Sequence, residues 1–190
     1  MEHSQKPRLK VPPALQISRP IVLLGMMGAG KSSLGTRLAK RLNVPFSDAD
    51  TEIEKAAQMS ITDIFETHGE AGFRDGERRV IKRLLQAPPQ VLALGGGAFM
   101  NKETRALIGE KALSIWLDVP VDELVKRVSK HPAKRPLLAN KDIEETVVDL
   151  LKKRAPIYAK ADLRVSLRNL NHNEAVAKIL AMLDKSDYIA

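Results

Sequence analysis

A chain of 190 residues, of which 44% are hydrophobic and 28% charged, is long enough to form one globular domain with a buried core. It contains no cysteine, which excludes disulfides, thiolate chemistry and zinc–thiolate sites. No apolar run approaches the ~18 residues that a membrane span needs. The first ten residues also lack the apolar core of a secretion signal. We therefore expect a cytoplasmic protein.

The chain is basic, with a formal net charge of +8. Such a balance suits either nucleic acid or a pocket for small anionic molecules. Aromatic residues make up only 4% of the chain, which leaves few rings on which bases could stack. We therefore expect a small anionic ligand rather than nucleic acid or a membrane, and we expect the chain to act as a monomer.

Residues 1–19 are predicted to form a flexible basic arm that precedes a single domain over residues 20–190. This segment contains three prolines, shows no sustained hydrophobic period, and carries four Lys or Arg residues against one Glu. A transit peptide is the alternative, but Glu2 and the lack of Ser and Arg enrichment disfavour it.

From Pro20 onward, short apolar strands alternate with amphipathic helices. The strands are predicted at residues 21–24, 44–46, 91–94, 112–117 and 163–167. The helices are predicted at residues 31–42, 51–57, 61–67, 70–86, 121–129, 142–153 and 173–184. This alternation indicates an α/β fold in which helices cover both faces of a parallel sheet. In such sheets, ligands bind at the carboxyl ends of the strands.

The first predicted strand leads into a glycine loop that matches the spacing G-x-x-x-x-G-K-S at Gly25, Gly30, Lys31 and Ser32. Glycines let backbone N–H groups turn around phosphate oxygens, and the following helix adds the positive end of its dipole. Lys31 can reach the β- and γ-phosphates, and the Ser32 hydroxyl can ligate Mg²⁺. We therefore expect a nucleoside triphosphate, such as ATP, bound with Mg²⁺. The residues expected to hold it are Gly28, Ala29, Gly30, Lys31, Ser32 and Ser33.

Two acidic residues compete for the role of metal ligand. Asp118 ends the fourth predicted strand, whereas Asp48 follows the shorter second strand and has Asp50 two residues later. In a regular strand, Asp48 and Asp50 would point to the same side and bring two carboxylates to one site. Alternatively, both residues cap the helix that starts near Thr51. Spacing alone does not separate Asp48 from Asp118.

Three consecutive glycines, Gly95–Gly97, follow the third predicted strand. They either let the backbone approach a ligand closely or form a tight turn. Arg74 and Arg154 are ambiguous when each is taken alone, because Arg74 has Glu77 three residues later and exposed ion pairs of this kind are common. Residues 129–141 are basic and broken by prolines, which suits either a mobile lid or a solvated loop.

Further motifs follow the glycine loop in a fixed order. They are Asp48–Asp50, Ile61–Phe65, Gly69–Glu77, Leu94–Gly97, Arg135–Leu138 and Arg154–Tyr158. Together with the loop, this ordered set resembles the shikimate kinase family, over residues 20–184. The resemblance implies transfer of the ATP γ-phosphoryl group to the 3-hydroxyl of shikimate, a step in aromatic amino-acid biosynthesis. It also implies a three-layer P-loop kinase fold with a five-stranded parallel sheet, a helical substrate-binding region near residues 51–87 and a mobile lid near residues 129–141.

The resemblance assigns a role to each motif. Asp48 would hold Mg²⁺ together with Ser32, which leaves Asp118 as an acid at the end of a strand. Lys31 and the lid residue Arg135 would act on the phosphates as catalytic residues, and Arg135 would also help to bind ATP. The residues implied for the acceptor are Asp50, Arg74, Gly95, Gly96, Gly97 and Arg154, with Asp50 also accepting the proton.

The chain departs from the family pattern near the adenine. The spacing from Arg127, a candidate for stacking on adenine, to Arg135 is one residue longer than usual. The C-terminal adenine contact of the family corresponds here only to the turn at residues 168–171.

Two other functions fit parts of the sequence. A kinase of another small hydroxy acid, such as gluconate, is the alternative among enzymes, because its acceptor is also an anionic polyol. A nucleotide-dependent switch or binding module is the alternative from another class. The Asn-Lys-x-Asp pattern typical of guanine selection fails at its fourth place in both Asn140–Ile143 and Asn101–Thr104.

Overall fold

The computed structural model describes residues 15–130 and 142–185. The strands are β1 (Ile21–Leu24), β2 (Phe46–Asp48), β3 (Val91–Ala93), β4 (Leu113–Asp118) and β5 (Leu163–Ser166). The helices are α1 (Lys31–Leu42), α2 (Ala49–Ala57), α3 (Ile61–Leu85), α4 (Lys102–Lys111), α5 (Val121–Val128), α6 (Ile143–Tyr158) and α7 (His172–Asp184). The strands form one parallel sheet of five in the order β2-β3-β1-β4-β5, which confirms the predicted α/β class.

Strand β1 lies at the centre of the sheet, and its position explains its composition. All four of its residues are buried, without the alternation of a strand that has one face in water. Ile21 is in register with Val91 of β3 on one side and with Leu113 of β4 on the other. Because the strands are parallel, the segments that follow β1, β2 and β3 emerge at one edge of the sheet. This edge therefore gathers the glycine loop, Asp48 and the three consecutive glycines.

Helix α3 and helix α6 each contain a residue that the sequence predicts to interrupt a helix. Gly69 has φ 66° and ψ −178°, so α3 consists of two segments joined at a kink, close to the predicted break between residues 67 and 70. Helix α6 continues to Tyr158, beyond its predicted end at residue 153, and it contains Pro156 in its last turn. In the last turn, the missing N–H of proline removes a single intrahelical hydrogen bond, which the helix tolerates.

Other differences from the sequence prediction occur at β2 and α4. Strand β2 begins two residues later than predicted and includes Asp48. Helix α4 was not predicted, although its first residue follows Asn101, whose side chain accepts a hydrogen bond from the backbone N–H of Thr104 as an N-cap. Leu15 and Ile17 pack against the core, so contacts with the domain begin before Pro20.

None of the helices within the described ranges is long and apolar enough to cross a membrane.

Candidate active site

The loop between β1 and α1 has the geometry of a phosphate cradle. Gly25, Gly28 and Gly30 all have positive φ angles, which a side chain would strain. Gly30 is the residue before α1, so the free N–H groups of the first helical turn begin at Lys31. The Nζ atom of Lys31 donates to the carbonyl oxygens of Gly25 at 2.9 Å and Met26 at 3.1 Å. The ammonium group is thus held over the loop that the phosphates would enter.

Asp48 contacts both the glycine loop and the start of α2. Its Oδ2 atom accepts a hydrogen bond from the Ser32 hydroxyl at 2.6 Å, and its Oδ1 atom accepts one from the Asp50 N–H at 3.1 Å. Asp48 is therefore the N-cap of α2 and at the same time the neighbour of the candidate metal-ligating hydroxyl. The two alternatives that the sequence left open for Asp48 are compatible, because its two carboxylate oxygens serve different partners.

Asp50 does not belong to a strand, so strand geometry, one of the two alternatives that the sequence left open, does not align it with Asp48. Asp50 lies in the first turn of α2 instead. The helix begins at Ala49 because Asp48 caps it, two residues earlier than the sequence predicted. From this position on α2, the Oδ1 atom of Asp50 lies next to Gly95, which follows the neighbouring strand β3.

Asp118, the competing acid, pairs with β5. Its Oδ2 atom accepts hydrogen bonds from Nε of Arg164 at 3.0 Å and from Nη2 at 2.8 Å. The Arg164 guanidinium also lies 4.5 Å from the centre of the Trp116 ring, which fixes its position. Both hydrogen bonds of Arg164 go to this one oxygen of Asp118, and they account for the position of Asp118 at the end of its strand.

The three consecutive glycines bring three polar side chains together. A Cβ atom built on Gly95 would lie 2.8 Å from Oδ1 of Asp50, and one on Gly96 would lie 2.8 Å from Nη1 of Arg154. A Cβ atom on Gly97 would lie 2.9 Å from both Nη atoms of Arg74. Real Cβ atoms essentially never approach other atoms below 3.0 Å. Each glycine therefore makes room for a different side chain of the candidate site.

Arg74 is oriented by a buried carboxylate. Its Nη1 atom donates to Oε2 of Glu77 at 2.8 Å, and Glu77 is only 3% exposed. A second carboxylate, Glu70, lies 3.4 Å from Nη2, and the guanidinium lies 5.1 Å from the centre of the Phe73 ring. The pair with Glu77 is thus not the exposed ion pair that the sequence left as one interpretation, because one partner is inside the protein.

Arg154 and Tyr158 lie one turn apart on α6 and are both buried, at 8% and 1% exposure. The Tyr158 hydroxyl lies 3.3 Å from the carbonyl oxygen of Gly25 and forms a short hydrogen bond to the carbonyl oxygen of Gly96. Tyr158 ends the motif Arg154–Tyr158, but the motif alone predicts no role for it. The only local signal was its spacing of four residues from Arg154, which predicts a shared helix face.

Burial shifts the ionisation of the acidic residues in the site. Burial raises the pKa of Asp50 above its ordinary value, and the charge of Asp48 raises it further, against the lowering effect of Lys31. Burial also raises the pKa of Glu77, although its hydrogen bond to Arg74 opposes the shift. Burial lowers the pKa of Arg74, but the hydrogen bond and charge of Glu77 outweigh it and leave that pKa raised. The arginine is therefore a permanent cation beside a carboxylate of unusual basicity.

The two segments expected near the adenine, Arg127 and the 168–171 turn, both donate hydrogen bonds to the carboxylate of Glu123. Oε2 of Glu123 accepts a hydrogen bond from Arg127 at 2.6 Å, and Oε1 accepts one from the backbone N–H of Asn169 at 3.3 Å. Arg127 also donates to the carbonyl oxygen of Gly28 at 3.4 Å. Arg127 and the 168–171 turn therefore lie together, on the side of the glycine loop at Gly28. Arg135 and most of the expected lid lie outside the described residues.

Comparisons with known proteins point to one family. The sequence pattern of the family described as shikimate kinase matches residues 27–184. A shikimate kinase of Rhodopseudomonas palustris is 54% identical over 171 residues, which covers 90% of this chain and 83% of the relative. The solved structure of shikimate kinase from Acinetobacter baumannii in complex with shikimate superposes with a TM-score of 0.84 at 34% identity, covering 89% of this chain and 94% of that one.

A gluconokinase structure from Sinorhizobium meliloti is more distant. It has a TM-score of 0.60 at 18% identity and covers 90% of this chain and 94% of its own. At that identity the likeness extends to the fold alone.

Proposed function

This chain belongs to the shikimate kinase family and is an ATP-dependent kinase; on that premise, we propose how its residues transfer the γ-phosphoryl group of ATP to the 3-hydroxyl of shikimate. The products are shikimate 3-phosphate and ADP. The observation that carries the proposal is the junction of Asp50, Arg74 and Arg154 at the three glycines, beside the glycine loop. Two arginines and one carboxylate suit an acceptor that is both an acid and an alcohol.

On the nucleotide side, Lys31 would exchange its loop carbonyls for the β- and γ-phosphates. The loop amides and the α1 N-terminus would surround the phosphates. The triphosphate-binding segment in this proposal is Gly28, Ala29, Gly30, Lys31, Ser32 and Ser33. Phosphoryl transfer requires mostly positioning and stabilisation of charge, which these groups provide.

The donor set near Ser32 fits Mg²⁺. A hydroxyl and a carboxylate oxygen lie 2.6 Å apart at the end of the loop, and hard oxygen donors are what this ion prefers. Ser32 would ligate the metal directly, and Asp48 would hold it through water. Mg²⁺ supplies neutralisation of the charge on the β- and γ-phosphate oxygens.

On the acceptor side, Arg74 and Arg154 would hold the carboxylate of shikimate. A guanidinium group matches a planar carboxylate with two parallel hydrogen bonds, which lysine cannot do. Glu77 would keep the Arg74 fork in its orientation. The backbone of Gly95–Gly97 would line this pocket.

Asp50 would receive a hydrogen bond from the acceptor hydroxyl and accept its proton. The raised pKa of Asp50 makes this carboxylate a stronger base than an ordinary aspartate. By the family resemblance, Arg135 would close over the phosphates and stabilise the transferring group. Lid closure would also limit hydrolysis of ATP by water.

A coupled assay of ADP release tests the proposed function. The wild-type enzyme is given ATP and Mg²⁺ with shikimate, with gluconate, or with no acceptor. ADP release should require shikimate, and it should cease when Mg²⁺ is removed. Equal release with gluconate or without acceptor would contradict the assignment.

We also propose that the chain acts as a cytoplasmic monomer that binds neither nucleic acid nor membranes. The glycine loop, Asp48 and the side chains at Gly95–Gly97 meet at one edge of the sheet of a single chain, which supports a site that is built within the monomer. Size-exclusion chromatography with light scattering checks the monomer, since a stable dimer would double the mass.

A further inference from the structure

The Tyr158 hydroxyl lies between two loops that are far apart in the sequence. It contacts the carbonyl oxygen of Gly25, 133 residues away, and that of Gly96, 62 residues away. Gly25 opens the glycine loop of the nucleotide site, whereas Gly96 lies against the Arg154 guanidinium in the acceptor site. One buried side chain therefore contacts the backbone of both substrate sites.

A phenol hydroxyl has one proton, so it donates strongly to only one carbonyl at a time. In this structure the shorter bond is to Gly96, and the contact with Gly25 is longer, at 3.3 Å. The Gly25 carbonyl also accepts from Lys31 Nζ at 2.9 Å. Lys31 is the group that would move to the phosphates when a nucleotide binds. Burial raises the pKa of Tyr158, which keeps the hydroxyl protonated as a donor.

We infer that Tyr158 is a positioning residue that couples occupancy of the nucleotide loop to the geometry of the acceptor pocket. When Lys31 turns to the phosphates, the Gly25 carbonyl loses this donor, and the Tyr158 proton shifts towards it. The bond to Gly96 then weakens, and the segment beside Arg154 changes its position. This inference rests on the proposed function, because it assumes that Arg154 binds the carboxylate of the acceptor.

Coupling of this kind is reciprocal. If a nucleotide raises the affinity for shikimate, shikimate raises the affinity for the nucleotide by the same factor. The lone tryptophan, Trp116, lies with its ring centre 6.0 Å from that of Tyr158, so its fluorescence can report binding at this position.

The test measures the Kd of shikimate by fluorescence or calorimetry, with and without saturating ADP and Mg²⁺, so that no turnover occurs. In the wild type we expect ADP to change this Kd by about fivefold or more, as is typical of coupled sites. In Tyr158→Phe, the two values should agree within about twofold. A merely structural role would lower the melting temperature but leave the ratio of the two Kd values unchanged.

Ser114→Ala is the matched control. It also removes a buried hydroxyl, which donates to Oδ2 of Asp162 at 2.7 Å and accepts from the Asp162 N–H at 3.0 Å, so these hydrogen bonds go to Asp162 and not to Gly25 or Gly96. This variant should lose stability but keep the coupling ratio of the wild type.

Lys31→Met gives a second test that does not depend on how Tyr158→Phe folds. In this variant the Lys31 donor to Gly25 is already absent, so saturating ADP should leave the Kd of shikimate within about twofold of its value without ADP. Absence of coupling in the wild type, or wild-type coupling in either variant, would overturn the inference. Loss of shikimate-dependent ADP release in the wild type would instead count against the proposed function, so the two failures are distinguishable.

Discussion

Gly97→Ala adds one methyl group where the Arg74 guanidinium lies. The new Cβ would be 2.9 Å from both Nη atoms, whereas ordinary van der Waals contact begins at 3.4 Å. The guanidinium must therefore retreat by about 0.5 Å, the difference between these distances. It can do so at little cost, because it is the far end of a flexible side chain. Gly97 itself has φ −98° and ψ −18°, which alanine adopts without strain.

This displacement should weaken binding of the acceptor carboxylate. A hydrogen bond to a charged group contributes about 1.5–3 kcal/mol, and each ~1.4 kcal/mol is a factor of ten in affinity. We therefore expect the KM for shikimate to rise about ten- to a hundredfold. The KM for ATP should stay within about twofold, since Gly97 lies against Arg74 and not against the glycine loop. The free energy of unfolding should change by less than about 1 kcal/mol.

The assay is steady-state ADP release with each substrate varied in turn, together with thermal unfolding. Gly109→Ala is the control, because a Cβ at this position in α4 would meet nothing within 4 Å. It should leave both KM values unchanged and stabilise the helix slightly. An unchanged KM for shikimate in Gly97→Ala, or equal increases in both KM values, would refute the proposed contact between Arg74 and the acceptor.

Three further predictions concern Asp50. Asp50→Asn should abolish turnover while ADP still binds, as calorimetry would detect; near-normal turnover would remove Asp50 from the mechanism. The same variant should melt at a higher temperature than the wild type at neutral pH, because it removes a buried charge that destabilises the fold. The folded-state pKa of Asp50 is raised, so the wild type loses stability as the pH rises from the ordinary aspartate pKa to the raised one. In acid, Asp50 is protonated in both states, and the variant should then gain little over the wild type. In the wild type, kcat should fall on acidification at a higher pH than an ordinary aspartate would cause, and this dependence should be absent from the Kd of ADP.

The parts of the site that could be predicted are those whose evidence is local in the sequence. The glycine loop was recognised because its residues are contiguous and lie between a strand and a helix. Asp48 and Asp118 could not be separated by spacing, since both end strands of the same sheet. What distinguishes them is Arg164 on β5, 46 residues from Asp118 in sequence, and Ser32, 16 residues from Asp48.

The role of Tyr158 could be predicted even less from the sequence. Its hydroxyl contacts backbone carbonyl oxygens, and every residue has a carbonyl, so the residue types at these positions do not reveal the contact. The two alternatives for Asp48 and Asp50 could not be separated by the sequence pattern, because Asp48 ends the strand and caps the helix at once. Where one residue serves two elements, periodicity alone does not show to which element the next residues belong.

The three consecutive glycines have a structural reason that goes beyond flexibility. Each meets a different charged side chain, and those side chains come from α2, α3 and α6. The three nearest atoms to a Cβ on Gly97 all belong to Arg74, whereas a Cβ on Gly95 would lie 2.8 Å from Oδ1 of Asp50 and also 3.3 Å from Oε1 of Glu77. The substitution at Gly97 should therefore act on Arg74 and not on Asp50, whereas Gly95→Ala should act on Asp50. If the two alanine variants have the same effect on kcat and on the KM for shikimate, the glycines act together as a flexible loop, and the assignment of one contact to each glycine is wrong.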